Sequence, residues 1–416
     1  MFLSTARINC GYNMKNLEIF DFAGHAYRLA LNFIGAPFAV FNSLKILFIA
    51  PECKRMGAQE KDILAGIKLL RHSGFQVEVH FMSSQKSSSR NQKYLSYHRG
   101  DWVKYHFLKF LWPEGQVRTW VNCPEFLQIN RKLRDDRYDV LWTETSDLAF
   151  LGLFTNKPHV SRSHNFDPIH FYQESSNKLY GVIRFVLKCL NVLVFERQVN
   201  FLYTISPRDR LFYRLFLFKE RNLGVIPLRD LLFLHSASKQ NIVPGNLKKL
   251  AVLASTYSVH HNYEMIHETC FKIAPRNPEV EIHIYGSKIP DLLRLESLPS
   301  NLILRGWVEN IEDIYSEFEL FLVPTKAGLG MKSKVFEPLV RGKNVITYPK
   351  NLSGYEKCDR LAVFTINTID DIGPLLKRLD QNTLKSKVLI NKSALANIFD
   401  IDRVTKNIRS MLYNFS

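Results

Sequence analysis

Twelve short strand-like runs, most of them apolar and rich in Val, Ile, Leu and Phe, alternate along this chain with segments of helical periodicity. Strands of that kind are buried on both faces, which happens where helices cover both sides of a parallel sheet. The alternation therefore confines the fold to the α/β class. Six runs come first, at 44–50 (LKILFIA), 75–82, 138–144, 158–164, 201–206 and 222–228. Six more follow at 249–255, 280–286, 301–306, 320–324, 344–349 and 361–366. Helical patterns fall at 58–72, 174–199, 262–274, 309–317, 332–341 and 369–379. The periodicity lapses at 235–248, HSASKQNIVPGNLK, which reads as a linker. The expected architecture is two tandem doubly wound, Rossmann-like domains facing a cleft, at 44–234 and 249–382. Helices at 383–416 would pack back on the first. Residues 1–43 are either an extension from an upstream start codon or an interfacial anchor.

The net charge of +17 favours anionic partners, and it is uneven: +12 falls in residues 1–235 and +5 in the remainder. The six cysteines are scattered without a CxxC pair, so neither a zinc site nor a disulfide framework is suggested, and free thiols in a reducing cytosol are expected. No run reaches the roughly 18 apolar residues of a membrane span. Two segments mix cations with apolar residues. RDRLFYRLFLFKER (208–221) sets Arg210, Arg214 and Arg221 on one stripe with Leu211, Leu215 and Phe218 opposite, and WVKYHFLKFLWP (102–113) is similar. A core-and-solvent helix explains such stripes, and so does a peripheral contact with an anionic membrane. No RNA-binding signature appears, and no nucleic-acid partner is expected.

One stretch combines features of an anion grip. GLGMKSKVFEPL (328–339) follows an apolar strand and opens a helix. The first turn of a helix has unpaired N–H groups and the positive end of the dipole. Gly328 and Gly330 permit close approach of a ligand to backbone, Lys332 and Lys334 add full charges, and the whole suits a diphosphate. Glu337 lies one to two turns in, where a carboxylate can accept both hydroxyls of a ribose. The pattern alone does not separate this grip from a loop whose lysines are solvated.

The longer run 301–348 resembles the donor-binding domain of GT-B glycosyltransferases, specifically the large retaining family 4. The matching residues are Gly306, Val308, Pro324, Gly328, Gly330, Lys334, Glu337 and Gly342. The resemblance implies a GT-B architecture over roughly 44–400, a nucleotide-diphosphate sugar as donor, and a lipid-linked or polysaccharide acceptor. It places the donor on Gly57, Trp307, Val308 and the segment Gly328, Leu329, Gly330, Met331, Lys332, Lys334 and Glu337. It gives catalytic work to His164, Lys334 and Glu337, with Glu337 on the ribose and His164 facing the transferred sugar. Arg162, Asn165 and Asn262 stand as acceptor-side candidates. An isolated arginine such as Arg162 is more commonly a structural ion-pair partner. Neither metal nor cofactor is expected, since the helix mouth and its lysines can stabilise the departing diphosphate; the resemblance implies that the β-phosphate takes the acceptor's proton, so no protein nucleophile is required. The expected location is cytoplasmic, either free or peripheral at the cytoplasmic face of the inner membrane.

The chain departs from the family in places. Eight residues before Glu337 the family has a second glutamate, and here Leu329 stands. Ser255 and His261 occupy positions where many members carry Arg and Lys, a charge Lys332 and Lys334 can supply. Pro338 should bend its helix. Two other readings of the same architecture are a nucleotide-sugar epimerase and an inactive nucleotide-binding scaffold. SRSHNFDPIH (161–170) is a weak metal site, because its H-x5-H spacing does not put both rings on one helical face. The acidic pair in RDDRYD (134–139) precedes a strand and reads as solvated charge.

Overall fold

The structure, a computed structural model, describes residues 43–52, 57–83, 99–175, 177–217, 222–237, 247–289, 298–326, 329–354 and 361–415. Residues Leu44–Ser416 form one compact unit. The expectations for residues 1–43, Gly328, Phe218 and Arg221 fall outside the described residues.

The chain is α/β, with two six-stranded parallel sheets flanked by helices. The first contains β1 (Lys45–Pro51), β2 (Gln76–Met82), β3 (Val140–Glu144), β4 (His159–Ser163), β5 (Phe201–Thr204) and β6 (Leu223–Val225), ordered β2-β1-β3-β4-β5-β6. The second contains β7 (Lys249–Thr256), β8 (Glu281–Ser287), β9 (Leu302–Gly306), β10 (Leu320–Val323), β11 (Asn344–Thr347) and β12 (Val363–Thr365), ordered β12-β11-β10-β7-β8-β9. Central strands are buried on both faces: all five residues of β3 (VLWTE) and of β4 (HVSRS) are buried, the polar ones included.

Both sheets have a topological switch point where the winding reverses, between β1 and β3 in the first and between β7 and β10 in the second. Loops leaving adjacent strands diverge there and open a crevice at the carboxyl ends.

The helices that frame the crevices are α1 (Ala58–His72), α2 (Arg99–His106), α3 (Asp167–Gln173), α4 (Lys178–Val194), α5 (Pro207–Leu217), α6 (Arg229–Ala237), α7 (His260–Glu268) and α8 (Ser333–Val340). The helix expected over 174–199 is α4, which begins later, at Lys178, where Asn177 caps it by accepting from Tyr180 N at 3.1 Å, and ends at Val194 before a short 3-10 turn at Glu196–Gln198. Two terminal helices, α9 (Gln381–Ala396) and α10 (Ile401–Tyr413), complete the chain. Helix α10 lies on the first half, where Arg409 Nε donates to Ser73 O at 2.8 Å and Tyr413 packs on Phe75. One apolar cluster crosses between the halves, joining Leu231 and Leu232 of α6 to Phe336 and Leu339 of α8 and to Phe399. Burial of each such side chain is worth about 1.5–3 kcal/mol.

Helix α5 is oriented differently from the sequence expectation. Tyr213 and Leu217 are buried and Phe212 and Phe216 pack on the core, while Leu211 and Leu215 are exposed beside Arg210 and Arg214. The aromatic pair Phe212 and Phe216 packs on Phe166, which fixes the inward face.

Candidate functional site

At the switch point of the first sheet four charged side chains interlock. Asp62 comes from α1, Glu144 from the end of β3, Arg162 from β4 and Arg229 from the start of α6, and all are fully or almost fully buried. Arg162 pairs with Asp62 and also donates to Ile226 O and Pro227 O. Arg229 holds Glu144 through both terminal nitrogens, at 2.6 and 2.9 Å, and reaches Asp62 at 3.2 Å. Burial alone would raise both carboxyl pKa values, but the two guanidiniums outweigh it and hold Asp62 and Glu144 well below the usual carboxylate range. Gly66 on α1 lets this network form, since a Cβ there would lie 2.0 Å from Arg229 Nη1.

His164, just beyond β4, roofs the network. Its side chain is 14% exposed, with Nε2 3.3 Å from Glu144 Oε2 and Nδ1 3.7 Å from Asp62 Oδ2. Arg162 does not face the crevice as an acceptor-side contact must. Its side chain has no exposed surface and its terminal nitrogens are committed, so it is an ion-pair partner.

The second half contributes the mouth of α8, which follows β10 at the other switch point. No side chain caps this helix; its N-cap residue is Lys332. Lys332 and Lys334 are half-buried. Burial pushes the Lys334 ammonium down to about 7, and the neighbouring Lys332 adds to the effect. Burial likewise lowers Lys332 to about 8, against the pull of Glu174 and Asp209. Lys334 donates to Asn262 Oδ1, and no described carboxylate lies within ion-pair distance of it. Asn262 is thus placed on the lysine side of the crevice, in the second half, with its amide nitrogen fixed on Thr256 O at 2.8 Å. His261, where the family more often has a cation, lies within the fields of both lysines. Glu337 is buried one turn deeper and accepts from Tyr315 Oη at 3.1 Å. Asp230 of α6 faces it, its carboxyl pushed up to about 7 by burial together with Asp62 and Glu337. Helix α8 continues through Pro338 but ends two residues later.

The two halves meet at Gly330. Its φ of +74° is left-handed, and a Cβ would fall 2.5 Å from the Asn165 side-chain amide and 2.9 Å from His164 O. Glycine satisfies both the backbone conformation and the close approach. Asn165, with its amide turned to satisfy both ends, donates to His164 O at 2.9 Å and to Leu329 O at 3.1 Å. Leu329 is itself buried in the apolar cluster of the first half, and Met331 in the cluster shared by both. An ionised glutamate at 329 would be costly there, so the departure at this position has a packing reason. Two further contacts close the crevice: His261 Nδ1 lies 2.6 Å from Glu174 Oε1, and Ser353 Oγ donates to Ser206 Oγ at 3.1 Å.

His164, Asn165, Gly330, Lys332, Lys334, Asn262 and Glu337 are therefore gathered at one junction. Trp307 and Val308 are not joined to it by any described hydrogen bond or ring contact. They follow β9 at the sheet edge, Trp307 60% exposed. Gly57 is the N-cap of α1 at the carboxyl end of β1.

Asp62, Glu144 and His164 bring ligand atoms within 4.8 Å of one another, the spacing of a metal set. Both carboxylates are already neutralised by Arg162 and Arg229, and a cation there would sit against two guanidiniums; the donor set does not fit a metal. Sequence reasoning missed Asp62, Glu144, Arg229 and Glu174. The one local signal was an acid closing an apolar strand, at Glu144.

Residues 248–360 match the family described as glycosyl transferases group 1. No curated protein matches the chain in sequence. Among solved structures, HepE of Anabaena with UDP superposes with a TM-score of 0.56 at 13% identity, covering 89% of this chain and 100% of that one. Sucrose-phosphate synthase of Thermosynechococcus elongatus gives 0.61 at 11% identity, covering 90% and 100%. A glycosyltransferase of Rickettsia africae gives 0.57 at 11%, covering 90% and 99%. These likenesses establish the shared two-domain GT-B fold.

Proposed function

We propose, for a chain of GT-B fold that carries a group 1 glycosyl transferase domain, that it transfers a sugar from a nucleoside-diphosphate donor with retention of configuration at the anomeric carbon. The observation that carries this reading is the mouth of α8. Two half-buried lysines flank an uncapped helix N-terminus, and Lys334 has an amide rather than a carboxylate for a partner. Two cations in a partly dry site, one of them on an amide partner, suit an anion with several oxygens. The bound UDP of the Anabaena relative has that chemistry.

In the reaction the bond between the anomeric carbon and the β-phosphate oxygen breaks, and an acceptor hydroxyl oxygen bonds to that carbon. The hydroxyl proton passes to the departing diphosphate. Lys332, Lys334 and the first-turn N–H groups of α8 stabilise the charge that develops on the leaving group, and the step needs no metal. Glu337 takes the ribose hydroxyls. His164, held from behind by Glu144 and Asp62, presents its ring to the sugar. Contacts such as Glu174–His261 and Ser206–Ser353 describe a closed crevice, which limits hydrolysis once the donor is inside. The acceptor is a lipid-linked or polysaccharide hydroxyl entering along the first half, whose excess of cations suits a peripheral position on an anionic membrane.

A thermal-shift panel of nucleoside diphosphates and nucleotide sugars tests the donor half. A melting temperature raised by one base series supports it, since a ligand of the folded state alone stabilises by mass action. Absence of any shift across the panel refutes it.

A further inference from the structure

Helix α4 is amphipathic in the reverse sense. Leu179, Val182, Ile183, Val186, Leu190 and Leu193 repeat at helical spacing, in a stripe about 100° wide, the width that ordinarily faces a core. All six are exposed, Leu179 by 72%. The opposite face, turned into the protein, holds Gly181, Asn191 and a lysine, Lys188, which pairs with the buried Asp147. A helix that hides its cation and shows its leucines has its apolar partner outside the molecule. No helix among the described residues is long and apolar enough to cross a membrane, so α4 does not span.

A second segment packs against the inward face of the same helix. Trp112 Nε1 donates to Asn191 Oδ1 at 2.9 Å, which brings the segment after α2 alongside α4. That segment exposes Phe107, Phe110 and Leu111, the last by 72%. Lys104 and Lys109 lie among these side chains, Lys178 and Arg184 flank the stripe, and α4 contains no acid. Leu179 follows a short turn after Glu174, which touches His261 across the crevice.

We infer that this face docks on an anionic lipid bilayer, with α4 lying in the plane of the interface. Exposed apolar side chains enter the acyl boundary while the surrounding lysines meet headgroups. A second copy of the chain is disfavoured, because a twofold contact would bring the same cationic faces together. Docked this way, the crevice opens beside the membrane. The inference rests on the proposed lipid-linked acceptor only for its purpose, and the lipid contact is measured without donor or acceptor.

The test is co-sedimentation of the full chain with vesicles of phosphatidylcholine alone and with phosphatidylglycerol added, with and without high salt. The chain is expected to sediment with the anionic vesicles, and less in high salt, where the screening length falls to about 3 Å. Replacing Ile183→Glu and Val186→Glu together should weaken sedimentation by about tenfold or more. Leu389→Glu with Ile390→Glu, an exposed apolar pair on α9, should leave it unchanged. The salt and lipid comparisons on the unaltered chain stand even where a variant fails to fold. No sedimentation of the unaltered chain overturns the inference. So does undiminished sedimentation of a folded α4 variant, or a dimer in ultracentrifugation that the α4 changes dissolve in the absence of vesicle binding. A UDP-induced melting shift that survives the α4 changes keeps the donor reading separate.

Discussion

Lys334 makes donor affinity depend on pH with a slope that can be worked out in advance. In the unliganded chain burial and Lys332 hold its ammonium near about 7 instead of the ordinary 10.5. A diphosphate at the mouth of α8 reverses the balance and restores the charged form. Between those two values the chain must take up a proton to bind, so the dissociation constant rises by about tenfold per pH unit above about 7. Lys332, near about 8, adds a second proton and steepens the slope above that point. Below about 6 the terminal phosphate itself begins to protonate, which places the tightest binding near pH 6–7. Titration calorimetry with UDP, in two buffers of different ionisation enthalpy, reads both the affinity and the protons taken up. Lys334→Met should weaken binding at the optimum by roughly 30-fold, corresponding to about 2 kcal/mol for removing one partner of a desolvated charge pair. It should also abolish the first proton while leaving the Lys332 slope. An affinity flat between about pH 6.5 and 9, or a Lys334→Met chain that binds as the unaltered one does, refutes the reasoning.

Glu337→Ala should raise the donor KM and the UDP dissociation constant by about tenfold or more, through loss of charged hydrogen bonds to ribose; steady-state kinetics and calorimetry check it, and unchanged constants count against the assignment. Arg229→Met leaves Asp62 and Glu144 buried with one counter-charge fewer, and should cost about 3–5 kcal/mol in urea unfolding. The same variant tests the sign of the pH dependence. Carboxyls held below their unfolded values stabilise at neutral pH and lose that contribution as pH falls, so the stability gap between Arg229→Met and the unaltered chain should narrow as pH falls below about 4. Gly330→Ala forces a side chain into a left-handed backbone and against Asn165 and His164, and should lower stability by about 1–2 kcal/mol and reduce turnover, read by melting temperature and kcat.

Central strands such as β1 were legible because burial on both faces is written as an apolar run, and Ile46 to Ala50 leave no other place to put themselves; β2 and β9 are only partly buried, and β4 is mostly polar. The mouth of α8 was legible because its chemistry is local: glycine, two lysines and an acid within ten residues at the end of a strand. The ion network was not. Asp62 and Arg229 are 167 residues apart, and only the winding of the first sheet brings α1 and α6 to one switch point. Arg162 could be weighed as a structural partner, but its partner could not be named. Helix α4 shows a different limit. Its stripe is plain in the sequence, yet periodicity says that a helix has an apolar face and not which way the face turns. Lys188 decides it, by being taken inward through Asp147 and Glu114. Helix α5 is mis-turned for the same reason, since two apolar faces compete and the aromatics win the core.

The two sides of the crevice divide the electrostatic work. In the first half two carboxylates meet two guanidiniums, all sealed from water. Such a cluster has no charge left to offer a ligand, and hydrophobic side chains of similar volume would be as stable. What it can do is fix positions: it ties α1, β3, β4 and α6 together at the point where His164 emerges, and sets an acid beside each ring nitrogen. In the second half the imbalance runs the other way, with Lys332 adding to the cost that burial imposes on the Lys334 ammonium, against the pull of Glu174. Repulsion is therefore stored on one side only. A diphosphate relieves it, and relief is greatest when the crevice is shut and dry. Donor binding and closure would thus reinforce one another, with the first half serving as the rigid face against which Gly330 seats.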